Sequence, residues 1–512
     1  MNFDIFKTRH ATSIIISIII FCAALLRFWH LDYKSIWDDE ALTTFFTNSA
    51  MSFKDVIDYS TGVDRGCIVP NSIAHISSIV IGDSLFAIRL FSALCGIGAV
   101  FLIYLLGKRL LGKTGGLVAA ALCAVSPFCI YLSQEMRPYG FLFFLSALAS
   151  YLFLLCKDSF KLPQIIAYAL VILTGCYSNP FFVFILIFHF LFVCALLFCK
   201  HEPWQKWLLL FAFIGCALIP FVILQISVYE SAIKISPFSA RAVQNFLGLW
   251  FRFGQGYLFQ LNTGADISAA LTKPAIVAIL CLGYAISIVP VLLGILNVKK
   301  RSRKTTLFLL GYLVIPILCA FILFPRKMNP RQLSIAAPAF YLLTAAGLTR
   351  LPFNKTQKVI VAGYCLFTVF STSYYYTLTV NPHVRQDFKS LSLYLQQNSS
   401  PSDTIQIVNS VDPSGEHARF FYPVAFYNGT YSGIRYYNKV QPLQICTQID
   451  TLWIKDKLTS HEKLFFVTPV SAVPYCEALQ STAESICRNS SFRYSRRLFG
   501  TQHLCYTFES RH

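Results

Sequence analysis

The run Ser13–Trp29 reads SIIISIIIFCAALLRFW, and Trp37-Asp38-Asp39-Glu40-Ala41 follows it eight residues later. The first stretch is nearly long enough to cross a bilayer, which takes about 20 mostly apolar residues. The second sets three carboxylates in a row, with only Lys34 close by as a counter-charge. Adjacent acids repel one another, so at least one should resist ionisation unless cations or a metal compensate. Lys7 and Arg9 precede the apolar run, as in a signal peptide. No small-residue cleavage site follows, and the run reads as a signal anchor. The acid triplet then lies at the membrane surface, just after the first span.

The rest of the chain fits that reading. Of 512 residues, 55% are hydrophobic and 13% charged, and the mean hydropathy is +0.57. This is too apolar for a soluble globule and places the chain among polytopic membrane proteins. The formal charge of +19 falls in short clusters between apolar runs. That pattern suits membrane topology and argues against nucleic acid as a partner. Most of the 17 cysteines stand singly inside apolar runs, where they act as small hydrophobes. No CxxC pair or Cys/His metal spacing appears.

Eleven apolar runs are candidate spans: 12–31, 85–106, 115–134, 139–156, 163–178, 181–199, 206–228, 274–296, 305–324, 333–349 and 358–377. Asn179-Pro180 is a tight turn and makes the pair around it the least regular. With the N-terminus in the cytoplasm, the inner loops collect Lys108, Arg109 and Lys113, then Lys157 and Lys161, then Lys299, Lys300, Arg301, Arg303 and Lys304. The alternate loops are poor in cations, with 325–332 the exception, and this asymmetry sets the orientation. Both the C-terminal tail and the loop 32–84 are then outside. The fold class expected is an α-helical polytopic membrane protein of about 11 spans, with a small extracytoplasmic α/β domain. The division expected is 1–377 for the membrane domain and 378–512 for the outer domain.

Loop 32–84 is longer than a connection needs. Its short periodic pieces, Ala41–Phe46, Phe53–Ile57 and Ile73–Ile81, suggest interfacial helices. His75 lies in the last region and reads more readily as a structural histidine than as a catalytic one. In the tail, Phe388–Gln397 and Glu477–Cys487 predict helices, and Thr404–Val408 and Leu464–Val467 predict buried strands. Cys446, Cys476, Cys487 and Cys505 lie in this outer region, where disulfides can form. Asn398, Asn428 and Asn489 open glycosylation sequons.

Three groups could carry chemistry. The first is Asp38, Asp39 and Glu40. One acid there would serve as a helix cap. A carboxylate at the membrane edge could equally take a proton from a hydroxyl or amine, with its neighbour holding it. The second is Gln134-Glu135-Met136-Arg137-Pro138-Tyr139, where Glu135 and Arg137 form either an ion pair or a substrate pair. The third is Arg326-Lys327-Met328-Asn329-Pro330-Arg331, three cations in six residues on the outer side. Headgroup anchoring explains such cations in ordinary cases, whereas guanidinium groups also grip phosphate in a fork. Arg89, at the start of the second span, could join this cluster or pair with the acids. Acids and cations on one side of a helix bundle suit a nucleophile that needs a base and a lipid-borne phosphate leaving group. No Walker motif or Gly-rich phosphate loop is present for a nucleotide.

In these residues the chain resembles the GT-C membrane glycosyltransferases, in the branch of dolichyl-phosphate-mannose–protein mannosyltransferases and bacterial aminoarabinose lipid A transferases. The resemblance runs through Trp37-x-Asp39-Glu40-Ala41, Arg89-Leu90-Phe91-Ser92-Ala93-Leu94, Gly107-Lys108-Arg109-Leu110-Leu111-Gly112, Ser126-Pro127 and Gln134-Glu135-x-Arg137-Pro138-Tyr139. It implies sugar transfer from a polyprenyl-phosphate donor to a lipid, glycan or protein acceptor on the outer face of the plasma membrane, usually with inversion. By that resemblance Asp39 is the base, with Glu40 beside it. Arg137 and Arg331 meet the donor phosphate, with Arg326 and Lys327 adding charge and Asp38, Arg89, Glu135 and Tyr139 in support. Three positions depart from the pattern: Asp38 is an additional acid, Asn71 stands where a second proline is frequent, and Gln332 where tyrosine is frequent. No metal ligand set is expected, although three acids leave room for a divalent cation. The competing readings are a transporter or lipid flippase with an outer cap, and a non-catalytic scaffold. An internal repeat with broken helices would favour transport, and none is visible.

Overall fold

The structure is a computed structural model. It describes residues 9–64, 66–197, 204–229, 240–256, 272–324, 329–349, 355–379, 388–399, 403–408, 443–446, 454, 456, 458, 463–469, 473–487, 492–499 and 503–510. Arg326, Lys327 and the sequons at Asn428 and Asn489 lie outside these. The described residues of the eleven apolar runs are largely helical. Among the described residues, seven helices are long and apolar enough to cross a membrane, or nine if each of two bent pairs is one span. The expected number was about eleven. The two runs flanking Asn179-Pro180 form shorter apolar helices, Leu162–Cys176 and Pro180–Leu196. The break has a local cause: Asn179 Oδ1 accepts from Phe181 N at 3.0 Å, and Pro180 opens the new helix where its missing N–H costs nothing.

The chain folds as two compact units. One comprises Met1–Leu31, Ile57–Ile73 and Arg89–Tyr376; the other comprises Asp32–Val56, Ala74–Ile88 and Thr377–His512. The first eight helices are α1 (Arg9–Phe28), α2 (Asp38–Thr47), α3 (Phe53–Gly62), α4 (Ile68–Ile81), α5 (Leu85–Leu111), α6 (Lys113–Val125), α7 (Pro127–Ser133) and α8 (Pro138–Asp158).

In the first unit, helices pack closely where glycines meet. A Cβ at Gly107 would sit 2.6 Å from Gly116 Cα, so α5 and α6 touch backbone to backbone. Helices Pro274–Arg301 and Ala337–Thr349 do the same, because a Cβ on either Gly294 or Gly347 would meet a carbonyl oxygen of the other helix at 1.9 Å. Small residues at crossings allow this approach in membrane bundles.

The bend that positions the site lies between α6 and α7, which meet at 62°. Pro127 cannot donate to the preceding turn, and Ser126 caps α7 by accepting from Cys129 N. The carbonyls at the end of α6 therefore need other partners. Arg27 from α1, fully buried, donates to Cys123 O at 3.2 Å and Ala124 O at 3.0 Å. Thr372 donates to Val125 O at 2.9 Å. A cation at a helix C-terminus also favours the macrodipole. After α7, Gln134 donates to Leu26, Arg27 and Trp29 carbonyls at the end of α1, and its Oε1 accepts from Tyr375 at 2.8 Å. The turn Gln134–Arg137 is thus fixed from both sides.

Among the described residues of the second unit, five strands are present: β1 (Thr404–Val408), β2 (Leu443–Cys446), β3 (Leu464–Pro469), β4 (Phe492–Phe499) and β5 (His503–Ser510). Their order is β2-β1-β3-β5-β4. The β1 strand is parallel to β2 and β3, while β5 is antiparallel to β3 and β4. Period-two alternation divides the sheet's faces. Ile405, Phe465, Val467 and Cys505 pack on Phe388, Leu391 and Leu395. On the other face, Phe466, Leu504, Tyr506 and Phe508 pack with Leu479, Ala483 and Ile486. The expected tail helices and the first two expected strands are present at Phe388–Asn398, Val473–Cys487, β1 and β3. Cys505 carries a free thiol.

Candidate functional site

The acids at 38–40 take helical positions. The N-cap of α2 is Trp37, and residues 38–40 take the first helical positions after it. This corrects the expectation of an acid cap, and the positive end of the helix macrodipole favours negative charge there. Asp39 is half-buried and Glu40 fully buried. Thr43 and Thr44 donate to the carbonyls of Asp39 and Glu40 at 2.9 and 2.8 Å, which stiffens the turn. Of the two, Asp39 has the solvent access that a base exchanging protons requires.

His75 is buried, and its Nδ1 faces Asn48 O at 3.0 Å and Thr47 O at 3.3 Å, at the end of α2. As a donor to two main-chain carbonyls it is a structural residue, in line with the blander reading. Asp83 fixes the chain after α2 by accepting from Ser49 N at 3.1 Å and Ser49 Oγ at 2.6 Å.

In the first unit, Arg137 and Arg331 both lie at the turn between α7 and α8. Arg137 contacts Asp64 through both terminal nitrogens, Nη1 to Oδ2 at 3.3 Å and Nη2 to Oδ1 at 3.5 Å. Both side chains are largely buried. Arg331 lies 3.7 Å from Glu135, whose side chain is 2% exposed. It donates to the Tyr131 hydroxyl at 3.3 Å and stacks over the Tyr139 ring at 5.5 Å. Asn329 Oδ1 accepts from Arg331 N at 3.0 Å and fixes the backbone there. Arg137 and Glu135 thus each find a partner from a distant part of the chain. Arg89 is buried and donates to Leu31 O at 2.9 Å, tying α5 to the chain after α1.

Asp64 escaped the sequence reading, because a lone acid in a polar loop carries no pattern. It sits on a tight turn between α3 and α4, with Cys67 N donating to Asp64 O at 3.1 Å. Gly66 adopts φ +92°, and a Cβ there would lie 2.9 Å from Pro180 Cδ and 3.0 Å from Gln225 Nε2. Only glycine fits that position without strain. Asn71 donates to Ser60 at 3.1 Å and to Asp64 Oδ2 at 3.4 Å. Burial pushes the Cys67 thiol well above its usual range, and the neighbouring Asp64 charge adds to this, so the thiol stays protonated beside the carboxylate. The departure Asn71 therefore helps to hold Asp64.

Two guanidinium groups in partly dry surroundings, each beside an aromatic ring or a carboxylate, can bind a phosphate and stabilise charge that develops on it. Among the described residues no group of three or more His, Cys, Asp or Glu could hold a metal ion.

Residues 66–224 match the family model described as dolichyl-phosphate-mannose-protein mannosyltransferase. The structure is similar to that of ArnT from Cupriavidus metallidurans in the apo state, with a TM-score of 0.54 and 11% identity, over 96% of this chain and 97% of that one. The chain therefore has an ArnT-like GT-C fold. The same ArnT bound to undecaprenyl phosphate superimposes on this chain with a TM-score of 0.51 and 12% identity, over 96% and 97% of the two chains. The Bacillus subtilis (strain 168) protein YkcB, which carries a mannosyltransferase name, is 25% identical over 178 residues, 33% of this chain. The match spans only 24% of YkcB's own length.

Proposed function

We propose that this protein transfers a sugar from a polyprenyl-phosphate donor to an acceptor on the outer face of the membrane. The observation that carries the reading is the paired guanidinium cluster, Arg137 with Asp64 and Arg331 with Glu135, at the turn that the bent span holds in place. The likeness to an ArnT bound to undecaprenyl phosphate supports a lipid phosphate as the donor's carrier. The distribution of cations supports an N-terminus in the cytoplasm and a C-terminal domain outside.

The acceptor's hydroxyl or amine gives its proton to Asp39 as its heteroatom bonds to the anomeric carbon. The bond from that carbon to the phosphate oxygen breaks, and its electron pair leaves with the lipid phosphate. Arg137 and Arg331, with Arg326 and Lys327 adding positive potential, stabilise the charge gained by the phosphate. The donor itself supplies the driving force, so no nucleotide takes part.

The experiment uses protein purified in detergent with undecaprenyl-phosphate-mannose as donor, alongside mass spectrometry of envelope lipids and glycans from cells with and without the gene. Asp39→Asn is expected to abolish transfer while inserting and melting as the parent does. Transfer by that variant at the parent rate would remove Asp39 from the mechanism. An envelope unchanged by loss of the gene would end the reading.

A further inference from the structure

Asp64 and Arg137 make a clasp that is loose by the standards of its chemistry. Charge-assisted N–H···O contacts close to about 2.7–2.9 Å, whereas the two here are 3.3 and 3.5 Å. The carboxylate does not depend on Arg137 alone, since Asn71 lies 3.4 Å away and the Cys67 thiol is within hydrogen-bond reach. Its backbone is also fixed independently, by the Gly66 turn against Pro180. On the other side of that turn, the buried Gln225 Nε2 has no hydrogen-bond partner among the described residues, so the turn has a further donor at hand. A planar carboxylate held by the two ends of a guanidinium is the same pattern that a phosphate presents.

We propose that Asp64 is a placeholder for lipid phosphate on Arg137, a positioning residue that yields to the incoming donor and returns to help expel the product. The inference rests on the glycosyltransferase reading above. The donor phosphate is a diester with one negative charge. The released polyprenyl phosphate is a monoester that approaches two charges near neutral pH. It therefore holds the arginine more tightly than the donor does, and an enzyme that binds the donor this way risks retaining its product. A fixed carboxylate that competes for the same guanidinium, and repels the phosphate's charge, counters that retention. A purely structural Asp64 has the opposite consequence: without it Arg137 loses its orientation and phosphate binding weakens.

The test measures undecaprenyl phosphate binding to purified full-length protein, together with kcat and KM for undecaprenyl-phosphate-mannose. With the competitor removed, Asp64→Asn is expected to bind undecaprenyl phosphate about tenfold more tightly, the order of one lost charge-assisted contact. KM and kcat should fall together as product release slows. Asp64→Glu keeps the charge and is expected to bind as the parent does. If Asp64→Asn does not yield folded protein, Asp64→Ser takes its place with the same expectation. Binding that is unchanged or weaker in the neutral variants, with the parent binding normally, overturns the placeholder. A parent that binds no undecaprenyl phosphate and transfers no sugar overturns the functional reading, a separate outcome.

Discussion

Arg27→Met removes the buried guanidinium that closes the end of α6. Two carbonyls, Cys123 O and Ala124 O, lose donors at 3.2 and 3.0 Å in a region without solvent. Each unpaired buried carbonyl costs about 1–3 kcal/mol, hence roughly 2–6 kcal/mol for the pair. Methionine also relieves the chain of a charge inside a span, worth up to about 3 kcal/mol on insertion scales and less near a helix end, where Arg27 sits. The balance is a loss of about 2 kcal/mol. The assay is unfolding in mixed micelles by titration with SDS, followed by tryptophan fluorescence. Arg27→Lys keeps the charge but not the fork, and should fall between Arg27→Met and the parent. Because Gln134 is tied to the same end of α1, sugar transfer by Arg27→Met should drop along with stability. An Arg27→Met protein as stable as the parent, or more so, would refute the argument that this arginine replaces the hydrogen bonds lost at the Pro127 bend.

Gly66→Ala must strain a backbone at φ +92° and press a methyl to within 2.9 Å of Pro180 Cδ. Overpacking of this kind costs about 1–3 kcal/mol, so the variant should unfold at lower SDS and transfer sugar more slowly. An unaltered unfolding midpoint would count against the turn as described. At the start of α3, Asp55 accepts from Ser52 Oγ at 2.5 Å and Ser52 N at 3.2 Å, and Ser52 Oγ accepts in turn from Asp55 N. These bonds, the side-chain one first, hold the Asp55 carboxyl below its ordinary value of 3.8. A folded-state value below the unfolded one stabilises the helix above that ordinary value and is lost as pH falls through the folded value. The stability difference between the parent and Asp55→Asn should therefore be present at neutral pH and fade in acid below the carboxylate range. A difference independent of pH would contradict the capping.

Much of the helical architecture was legible because spans are long and uniformly apolar, a signal that survives soft boundaries. The short helices of the first loop were legible too, as was the crowding of acids at 38–40. Arg27 was hidden inside an apolar run, where nothing local reveals that a bend a hundred residues away needs a cation. Asp64 was hidden for the opposite reason, since one acid among polar neighbours has no period. The strand β5 did carry a signal: Leu504, Tyr506 and Phe508 alternate toward one face. Its partner β4, an edge strand with Arg493, Arg496 and Arg497 exposed, has the charge that guards open sheet edges, and that charge obscures the hydrophobic count.

The compact unit that contains the acid helix also contains the sheet, since Asp32–Val56 and Ala74–Ile88 cluster with Thr377–His512. A clone stopped at codon 376 would keep the spans found among the described residues, short only of Thr377, and discard most of the polypeptide with which Asp39 shares a compact unit. Attempts to shorten this protein for crystallisation should therefore leave the tail attached, and nonsense alleles late in the gene should behave as nulls even though their products still insert.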